Sequence, residues 1–251
     1  FFRNEKPQRG RNREFWQLNA DIFGSNSLNA DLEVIQLALE IMLAFKPPKY
    51  SFVLYINDRR LINKFVREYL KVDEENVVQV IRILDKFSKL PTSEFLEQLA
   101  LSGADVENEA ELIAFLNRDD ATMTKFKGGL FRDDPVMVEM SELAEKLIQL
   151  GYEEYIKWNP ALMRGFDYYD GMVFEVFDLN PNNQRALFGG GRYNGLAQIF
   201  GRNSFPAVGF APGDETTRLF LESWGLLDRI KDQVATQMYY LPVLSEATRD
   251  T

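Results

Sequence analysis

Apolar positions recur at helical spacing over residues 29–45, and they give the clearest structural prediction along the chain. Leu32 and Leu39 fall on one stripe together with the apolar residues between and beyond them. Ser27 or Asn29 supplies a side-chain oxygen that can cap the first turn. A pair of prolines follows the stripe and ends the helix.

The spacing of apolar residues also predicts the other helices and strands. Helices are expected near 60–69 and 76–87, over 136–150 and 195–200, and from residue 217 onward. Strands are expected over 50–56, 172–177, 186–190 and 206–210. Residues 226–237 have the pattern of a linker or helix, and 238–243 that of a further strand.

The first 24 residues predict a strand, a loop and a second strand. The loop is polar and basic, and Pro7 and Gly10 interrupt regular structure in it. From residue 13 the side chains alternate, which places Gln17, Asn19 and Asp21 on one strand face. A polar face on a buried sheet usually lines a site, so we expect a binding site here.

Composition removes several classes of chemistry. The 251 residues include no cysteine and no histidine, which excludes Cys/His zinc sites, Ser-His-Asp triads and Cys-His nucleophile pairs. Neither a glycine-rich G-x-x-x-x-G-K-[ST] loop nor a G-x-G-x-x-G fingerprint is present. An ATP site would therefore have to be built from other residues, of which arginine is the best candidate.

Charge and hydropathy modify this picture only slightly. Lys and Arg number 29 against 38 Asp and Glu, a net charge of -9 that argues against a generic nucleic-acid coat protein. Basic residues nevertheless concentrate near the start of the chain. The apolar runs are too short for a membrane span, and the lack of disulfides fits a cytoplasmic protein.

Three segments carry a resemblance to a known family. They are residues 2–15 (FRNEKPQRGRNREF), residues 164–169 (RGFDYY) with 173–175 (VFE), and residues 189–196 (GGGRYNGL) with 206–210 (PAVGF). In order and spacing they resemble motif 2, the histidine-site signature and the glycine strand before motif 3 of histidyl-tRNA synthetases. The fold implied is α+β, a class II synthetase-type antiparallel β-sheet flanked by helices, with a small helical insertion.

The activity implied by the resemblance depends on fixed cations. Histidine's carboxylate attacks the α-phosphorus of ATP, so two anions approach and negative charge spreads over the phosphoryl oxygens. The planar fork of arginine holds two oxygens and stays charged. Arg3 and Arg164 would grip the α-phosphate from opposite sides as the catalytic residues. The ATP-binding residues implied are Arg3, Glu5, Arg11, Arg13, Phe15 and Arg218, with Mg²⁺ bridging phosphates mostly through water and no metal ligand set on the protein.

The resemblance also implies a histidine pocket and a contact with tRNA. An imidazole presents two ring nitrogens that a carboxylate and a phenol can bond. The histidine-binding residues implied are Gln17, Asp21, Arg164, Tyr168, Tyr169, Gly190 and Tyr193. Gln8 and Arg9 lie in the basic loop and would touch the acceptor end of tRNA(His).

Two positions depart from the family pattern. Asp21 stands where the family usually has glutamate, so the carboxylate is one methylene shorter. Motif 3 usually ends in G-x-E-R, whereas residues 213–218 read GDETTR. Arg218 is then the candidate for the arginine that stacks on adenine, and it stands two residues later than the family pattern places it.

The domain organisation and two rival functions complete the expectations. The predicted parts are 1–90 (catalytic core with motif 2), 91–135 (helical insertion), 136–224 (histidine site and motif 3) and 225–251 (linker and the start of an incomplete anticodon-binding domain). The full-length protein is expected to be a homodimer. The rivals are a regulatory subunit of ATP phosphoribosyltransferase and a pseudo-synthetase domain that senses uncharged tRNA. The complete set of arginines favours the enzyme.

Overall fold

The computed structural model describes residues 1–4, 6–163 and 168–229, and a single mixed sheet organises them. Its strands are β1 (Ala20–Phe23), β2 (Phe52–Asp58), β3 (Ile156–Trp158), β4 (Met172–Asp178), β5 (Arg185–Arg192) and β6 (Ala207–Phe210). The order across the sheet is β1-β6-β5-β4-β2-β3. All neighbours are antiparallel except β2 and β3, which are parallel. The predicted α+β class is confirmed, and the parallel pair is an addition to the antiparallel sheet expected.

Helices cover the sheet and form a separate helical region. They are α1 (Leu28–Ala44), α2 (Arg59–Lys64, continued as a π-helix over Phe65–Tyr69), α3 (Val77–Leu84), α4 (Thr92–Leu101), α5 (Glu109–Leu116), α6 (Asp120–Gly128), α7 (Pro135–Gln149), α8 (Leu196–Ile199) and α9 (Asp214–Ser223). Short 3-10 turns span Glu74–Asn76 and Glu153–Tyr155. Among the described helices, none combines the length and apolar character that crossing a membrane requires.

Helix α1 forms where the apolar stripe predicts it. The Ser27 side chain accepts a hydrogen bond from the main-chain nitrogen of Asn29 at 3.2 Å, so Ser27 is the cap. The stripe residues Ile35, Leu39 and Met42 are fully buried against the sheet. The helix therefore follows from an N-terminal cap and one apolar face.

Two hydrophobic clusters lie on different parts of the chain. One joins the sheet to α1, α7 and α9, with Phe52, Phe174 and Phe220 at its centre. The other joins α2 and α3 to α4, α5 and α6, with Phe65 and Phe115 stacked at 4.9 Å. The second cluster crosses the predicted boundary at residue 91. The predicted insertion thus shares its core with the helices that precede it.

A buried ion pair fixes the turn between β1 and α1. Arg192, at the end of β5, donates to Asp31 at 2.9 and 3.0 Å, and both side chains are buried. Arg192 also donates to the main-chain oxygens of Ser25 and Ser27 at 3.0 and 2.9 Å. Because these bonds satisfy the buried charge, Arg192 holds the sheet to the helix start instead of facing a ligand.

The first 24 residues differ from the predicted pair of strands. Only Ala20–Phe23 is a regular strand, and it pairs with β6 at the edge of the sheet. Residues 1–19 contribute isolated bridges, between Phe2 and Glu14 and between Gln17 and Gly213. The alternation placed Gln17, Asn19 and Asp21 correctly toward the cavities described below, but only residues 20–23 form a continuous ladder.

Candidate active site

Residues 1–15 fold into a hairpin held by few main-chain hydrogen bonds. The nitrogen of Arg3 donates to the oxygen of Arg13 at 2.7 Å. Gln8 and Arg11 exchange two such bonds, at 3.2 and 2.8 Å, and so close the turn. The hairpin therefore presents its arginine side chains from an extended, largely exposed backbone.

The tip of the hairpin rests on the start of β5. Gly10 has a φ of +78°, a left-handed conformation that glycine adopts without strain. Nη1 of Arg185 donates to the main-chain oxygen of Arg9 at 2.9 Å. A Cβ on Gly10 would overlap that same Nη1 and lie 3.1 Å from Leu219 on α9. Glycine is thus required for the close approach as well as for the turn.

An open cavity of about 720 Å³ lies between the hairpin and the sheet. We call it the arginine cavity, after the four arginines among its described lining residues, which are Arg3, Arg9, Arg11 and Arg185. Phe15, Gln17, Glu175, Glu215 and Thr216 also line it. Such a concentration of guanidinium groups suits a polyanionic ligand.

Arg3 and Phe15 are already in contact within this cavity. The guanidinium carbon of Arg3 lies 4.2 Å from the centre of the Phe15 ring, a cation–π arrangement. Phe1 stacks on the same ring with a centroid separation of 5.7 Å. An adenine that stacks on Phe15 therefore competes with one of these two contacts.

A second cavity of about 540 Å³ adjoins the first. We call it the aromatic cavity. Its described lining includes Asn19, Asp21, Tyr168, Tyr169, Tyr193 and Gly209. The three tyrosine rings lie within 4.6 to 6.5 Å of one another, centroid to centroid. This cavity suits a small ligand with a flat ring and hydrogen-bonding groups.

Asp21 and Tyr193 form the polar end of the aromatic cavity. The Tyr193 hydroxyl donates a hydrogen bond to Oδ1 of Asp21. Burial raises the pKa of Tyr193, and the neighbouring Asp21 carboxylate raises it further. The phenol therefore keeps its proton at neutral pH, and the pair offers both an acceptor and a donor-acceptor group.

Neighbouring main-chain contacts determine where these two side chains point. Asp21 pairs in register with Gly209 of β6, and its carboxylate occupies the space a Cβ on Gly209 would need. Tyr193 follows β5 in a loop that Asp170 fixes by accepting from the nitrogens of Asn194 and Gly195, at 3.1 and 2.7 Å. Asp21 thus lies on a paired strand, and Tyr193 lies in a loop that hydrogen bonds hold in place.

The two cavities meet along one wall. Five described residues line both of them: Asn19, Tyr168, Tyr169, Gly189 and Ala211. A ligand in the aromatic cavity and a polyanion in the arginine cavity would therefore approach each other at this wall. That arrangement is what a transfer between two bound molecules requires.

The structure brings most of the predicted residues to these cavities. Arg3, Gln8, Arg9, Arg11, Phe15 and Gln17 line the arginine cavity, and Asp21, Tyr168, Tyr169 and Tyr193 line the aromatic one. Gln17 is held by a bond from Nε2 to the Ala211 oxygen at 3.1 Å. Predicted residues Glu5 and Arg164 lie outside the described residues.

Three other predicted residues take different positions. Gly190 packs toward the core, because a Cβ there would run into Phe174 and Phe210, whereas its neighbour Gly189 lines both cavities. Arg13 is exposed and is not among the described lining residues. Arg218 also lies outside that lining.

Arg218 is held on the surface of α9 by two carboxylates. It donates to both oxygens of Glu215, at 2.9 and 3.0 Å, and to Glu222 at 3.1 Å. Stacking on an adenine would require these ion pairs to open. Arg218, the residue that the motif 3 pattern predicted, is thus not among the described residues that line the arginine cavity.

Several lining residues were not among the predicted site residues. Asn19 shares the polar face with Gln17 and Asp21, so its alternation was an available signal. Gly189 was part of the quoted glycine segment. Glu175 was likewise part of the quoted VFE segment. Arg185 had no comparable signal, because a lone charged residue in a strand is most often solvent-exposed.

Comparison with known proteins identifies the family that the chain resembles. A family model described as "Histidyl-tRNA synthetase" matches residues 1–214. The histidine–tRNA ligase of Leptospira biflexa is 34% identical over 98% of this chain, and that of Pyrococcus furiosus 36% over 96%. The chain spans about 55% of the length of these curated relatives.

Two solved structures share the fold at 24% sequence identity. A histidyl-tRNA synthetase from Nostoc superposes with a TM-score of 0.71, covering 85% of this chain and 52% of that one. A Bacillus halodurans protein, described as an ATP phosphoribosyltransferase regulatory subunit/histidyl-tRNA synthetase, gives 0.66 over 86% of this chain and 55% of that one.

Proposed function

The chain belongs to the histidyl-tRNA synthetase family, and we propose that the whole protein activates histidine with ATP and transfers it to tRNA(His). The observation that carries this proposal is the shared wall between a cavity lined by arginines and a cavity lined by tyrosines. Histidine in the aromatic cavity can direct its carboxylate toward the α-phosphate of ATP in the arginine cavity. Histidyl-adenylate forms there and pyrophosphate leaves.

Arginines supply the electrostatic part of the reaction. As the carboxylate attacks, negative charge grows on the α-phosphoryl oxygens, and preorganised donors stabilise it without waiting for solvent to reorient. Arg3 would bind the α-phosphate from the hairpin, and Arg164 would hold the phosphate and the carboxylate from the opposite side. Arg11, and Arg13 after a shift of its exposed side chain, would bind further along the triphosphate. Glu5 would contact the adenine amino group.

Histidine would be recognised at the polar end of the aromatic cavity. Asp21 accepts from one imidazole nitrogen, and Tyr193 or Tyr169 bonds the other. Gln17, which lines the arginine cavity close to the shared wall, suits the α-amino group. The unshifted imidazole is neutral at pH 7, so the site pairs with one N–H and one nitrogen lone pair.

Mg²⁺ would enter with ATP. The described residues contain no group of three or more carboxylates that would hold a metal ion by itself. Glu175 and Asp214 line the arginine cavity and would offer carboxylates beside the phosphates of ATP. So small a donor set fits an ion that keeps several of its waters. When bound, Mg²⁺ would neutralise charge on the leaving pyrophosphate.

Two exposed parts of the chain would contact tRNA and a second copy of the protein. Gln8 and Arg9 stand at the exposed hairpin tip, where they would meet the acceptor end of tRNA(His). Phe23, on the edge strand β1, is 61% exposed, and Trp16 and Phe2 in the preceding segment are 83% exposed. Exposed apolar side chains of this size support the proposed homodimer, in which a second copy would cover them.

One experiment separates the enzyme from its rivals. The full-length protein should exchange radiolabelled pyrophosphate into ATP only when histidine is present. The description of the Bacillus halodurans protein includes a regulatory subunit of ATP phosphoribosyltransferase. Such a subunit would bind histidine without this exchange. A pseudo-synthetase would bind tRNA without it. Absence of histidine-dependent exchange would therefore refute the proposed function.

A further inference from the structure

Arg185 lies in the arginine cavity but belongs to none of the motifs that identify the site. It is the first residue of β5 and is half-buried. Within the described residues, its hydrogen-bond partner is the neutral main-chain oxygen of Arg9, and no carboxylate forms an ion pair with it. A guanidinium that lines a cavity with only a carbonyl partner retains donors for a ligand.

The contact with the hairpin shows that Arg185 is held in place. Nη1 donates to the Arg9 oxygen at 2.9 Å, and Gly10 packs so closely that any Cβ would overlap it. The guanidinium is therefore positioned before a ligand arrives. Preorganised donors lose little entropy on binding, which makes them effective anion ligands.

Glu215, a carboxylate in the same cavity lining, is already paired with Arg218. Hydrogen bonds from Arg218 lower the pKa of Glu215, and the charge of Arg185 lowers it further. Both Glu215 oxygens accept from Arg218. Arg185 thus adds to the positive charge of Arg9 and Arg11 along one side of the cavity. Clustered like charges repel one another, and a bound polyanion removes that repulsion.

The position of Arg185 along β5 indicates which part of the ligand it meets. Gly189 lies in the wall shared by the two cavities, where the α-phosphate must stand for attack by the carboxylate. Arg185 precedes it by four residues, at most about 13 Å along the strand at roughly 3.3 Å per residue, and a β-bulge lies between the two. Arg185 is therefore closer to the phosphates farther from the shared wall than to the α-phosphate.

We propose that Arg185 is a binding residue for the β- and γ-phosphates of ATP, at the end of the arginine cavity opposite the shared wall. The proposal rests on the proposed function, since it takes ATP as the polyanion. It assigns to β5 a cation that acts from the sheet, beside those of the hairpin tip. The leaving pyrophosphate would then be held by Arg185 together with the hairpin arginines.

Calorimetric titration of the full-length protein with ATP and with AMP tests this assignment. Arg185→Gln should weaken ATP binding about 10-fold or more, the usual loss for a charged hydrogen bond, and change AMP binding less than about 2-fold. Arg185→Lys keeps the charge without the fork and should recover part of the loss. Arg67→Gln removes an exposed arginine that pairs with Glu74 in the helical region, and it should change neither affinity.

The outcomes separate this inference from the proposed function. Wild-type protein that binds ATP while Arg185→Gln binds it equally well would overturn the inference alone. Equal losses for ATP and AMP would also overturn it, because Arg185 would then act on the nucleoside end or only on the hairpin. Wild-type protein that binds no ATP would refute the proposed function itself.

Discussion

The two cavities would bind their proposed ligands by different physical means. In the aromatic cavity, Asp21 and Tyr193 are bonded to each other and lie on strands and a braced loop. In the arginine cavity, three of the four arginines stand on an exposed hairpin with isolated bridges, and the fourth, Arg185, stands at the start of β5. The first arrangement favours selection among similar small molecules, and the second favours stabilisation of charge.

This difference predicts which kinetic constant each cavity controls. A site built of paired polar groups rejects ligands that leave those groups unpaired. The aromatic cavity should therefore affect mainly the binding of histidine. Cations directed at a developing charge act more strongly on the transition state than on the bound substrates. Substitutions in the aromatic cavity should therefore change KM for histidine, and those in the arginine cavity should change the rate of exchange.

The largest effect is expected from the two arginines proposed for the α-phosphate. Arg3→Ala and Arg164→Ala should each lower histidine-dependent pyrophosphate exchange by about 10²–10³-fold, the typical loss when one donor to a developing charge is removed. Arg164→Lys should restore a small part, because it keeps the charge and loses the fork. Steady-state exchange with both substrates saturating measures this effect.

Folding must be unchanged for that result to count. Arg3 is exposed and its main-chain bond to Arg13 survives substitution, so circular dichroism and the melting temperature of Arg3→Ala should match wild type. Near-normal exchange in either alanine variant would contradict the electrostatic role and favour a regulatory subunit.

A smaller effect of a different kind is expected in the aromatic cavity. Asp21→Ala removes the imidazole acceptor and leaves the Tyr193 hydroxyl without its partner. KM for histidine should rise about 10–100-fold, in line with the loss of a hydrogen bond to a charged group. KM for ATP should stay within about 2-fold. A change in the ATP constant alone would show that Asp21 is structural.

The hairpin can be tested through a pair of glycines with similar backbone conformations. Gly10 and Gly24 have φ of +78° and +83°, but a Cβ on Gly24 meets nothing within 4 Å. Gly10→Ala should raise KM for ATP about 5–30-fold, because left-handed strain of about 1–2 kcal/mol and the overlap with Arg185 both displace the tip. Gly24→Ala carries the strain alone and should leave that constant unchanged. Equal effects would show that the tip contact is unimportant.

Periodicity predicted the sheet and helices well because burial of one face determines them. Helix α1 and strands β4 to β6 lie within a few residues of their expected bounds. The facing of Gln17 and Asp21 also followed from alternation. Most of the site residues that the motifs predicted and the structure describes line the two cavities, since the chemistry of phosphate and imidazole restricts the side chains that serve.

Three features of the site were not predicted, one because it depends on a long-range contact and two because of local geometry. Arg185 meets the hairpin tip across 176 positions, which no local pattern records. Gly189 and not Gly190 lines the cavities, because successive residues of a strand point to opposite faces. Arg218 is retained by Glu215 and Glu222 on its own helix, a choice of partners that the spacing of motif 3 does not reveal.

The smallest expected effect concerns the step in which tRNA enters. Gln8 and Arg9 line the arginine cavity, yet their side chains are exposed at the tip, and the bond that fixes the tip uses the main-chain oxygen of Arg9. Replacing both residues with alanine therefore removes two side chains and keeps the turn. Transfer of histidine to tRNA should slow about 3–10-fold, as for the loss of one or two polar contacts, while pyrophosphate exchange changes less than about 2-fold. Single-turnover transfer from preformed adenylate, measured beside exchange, distinguishes the two steps. Equal losses in both would show that these two side chains bind ATP instead of tRNA, and the whole hairpin tip would then belong to the ATP site.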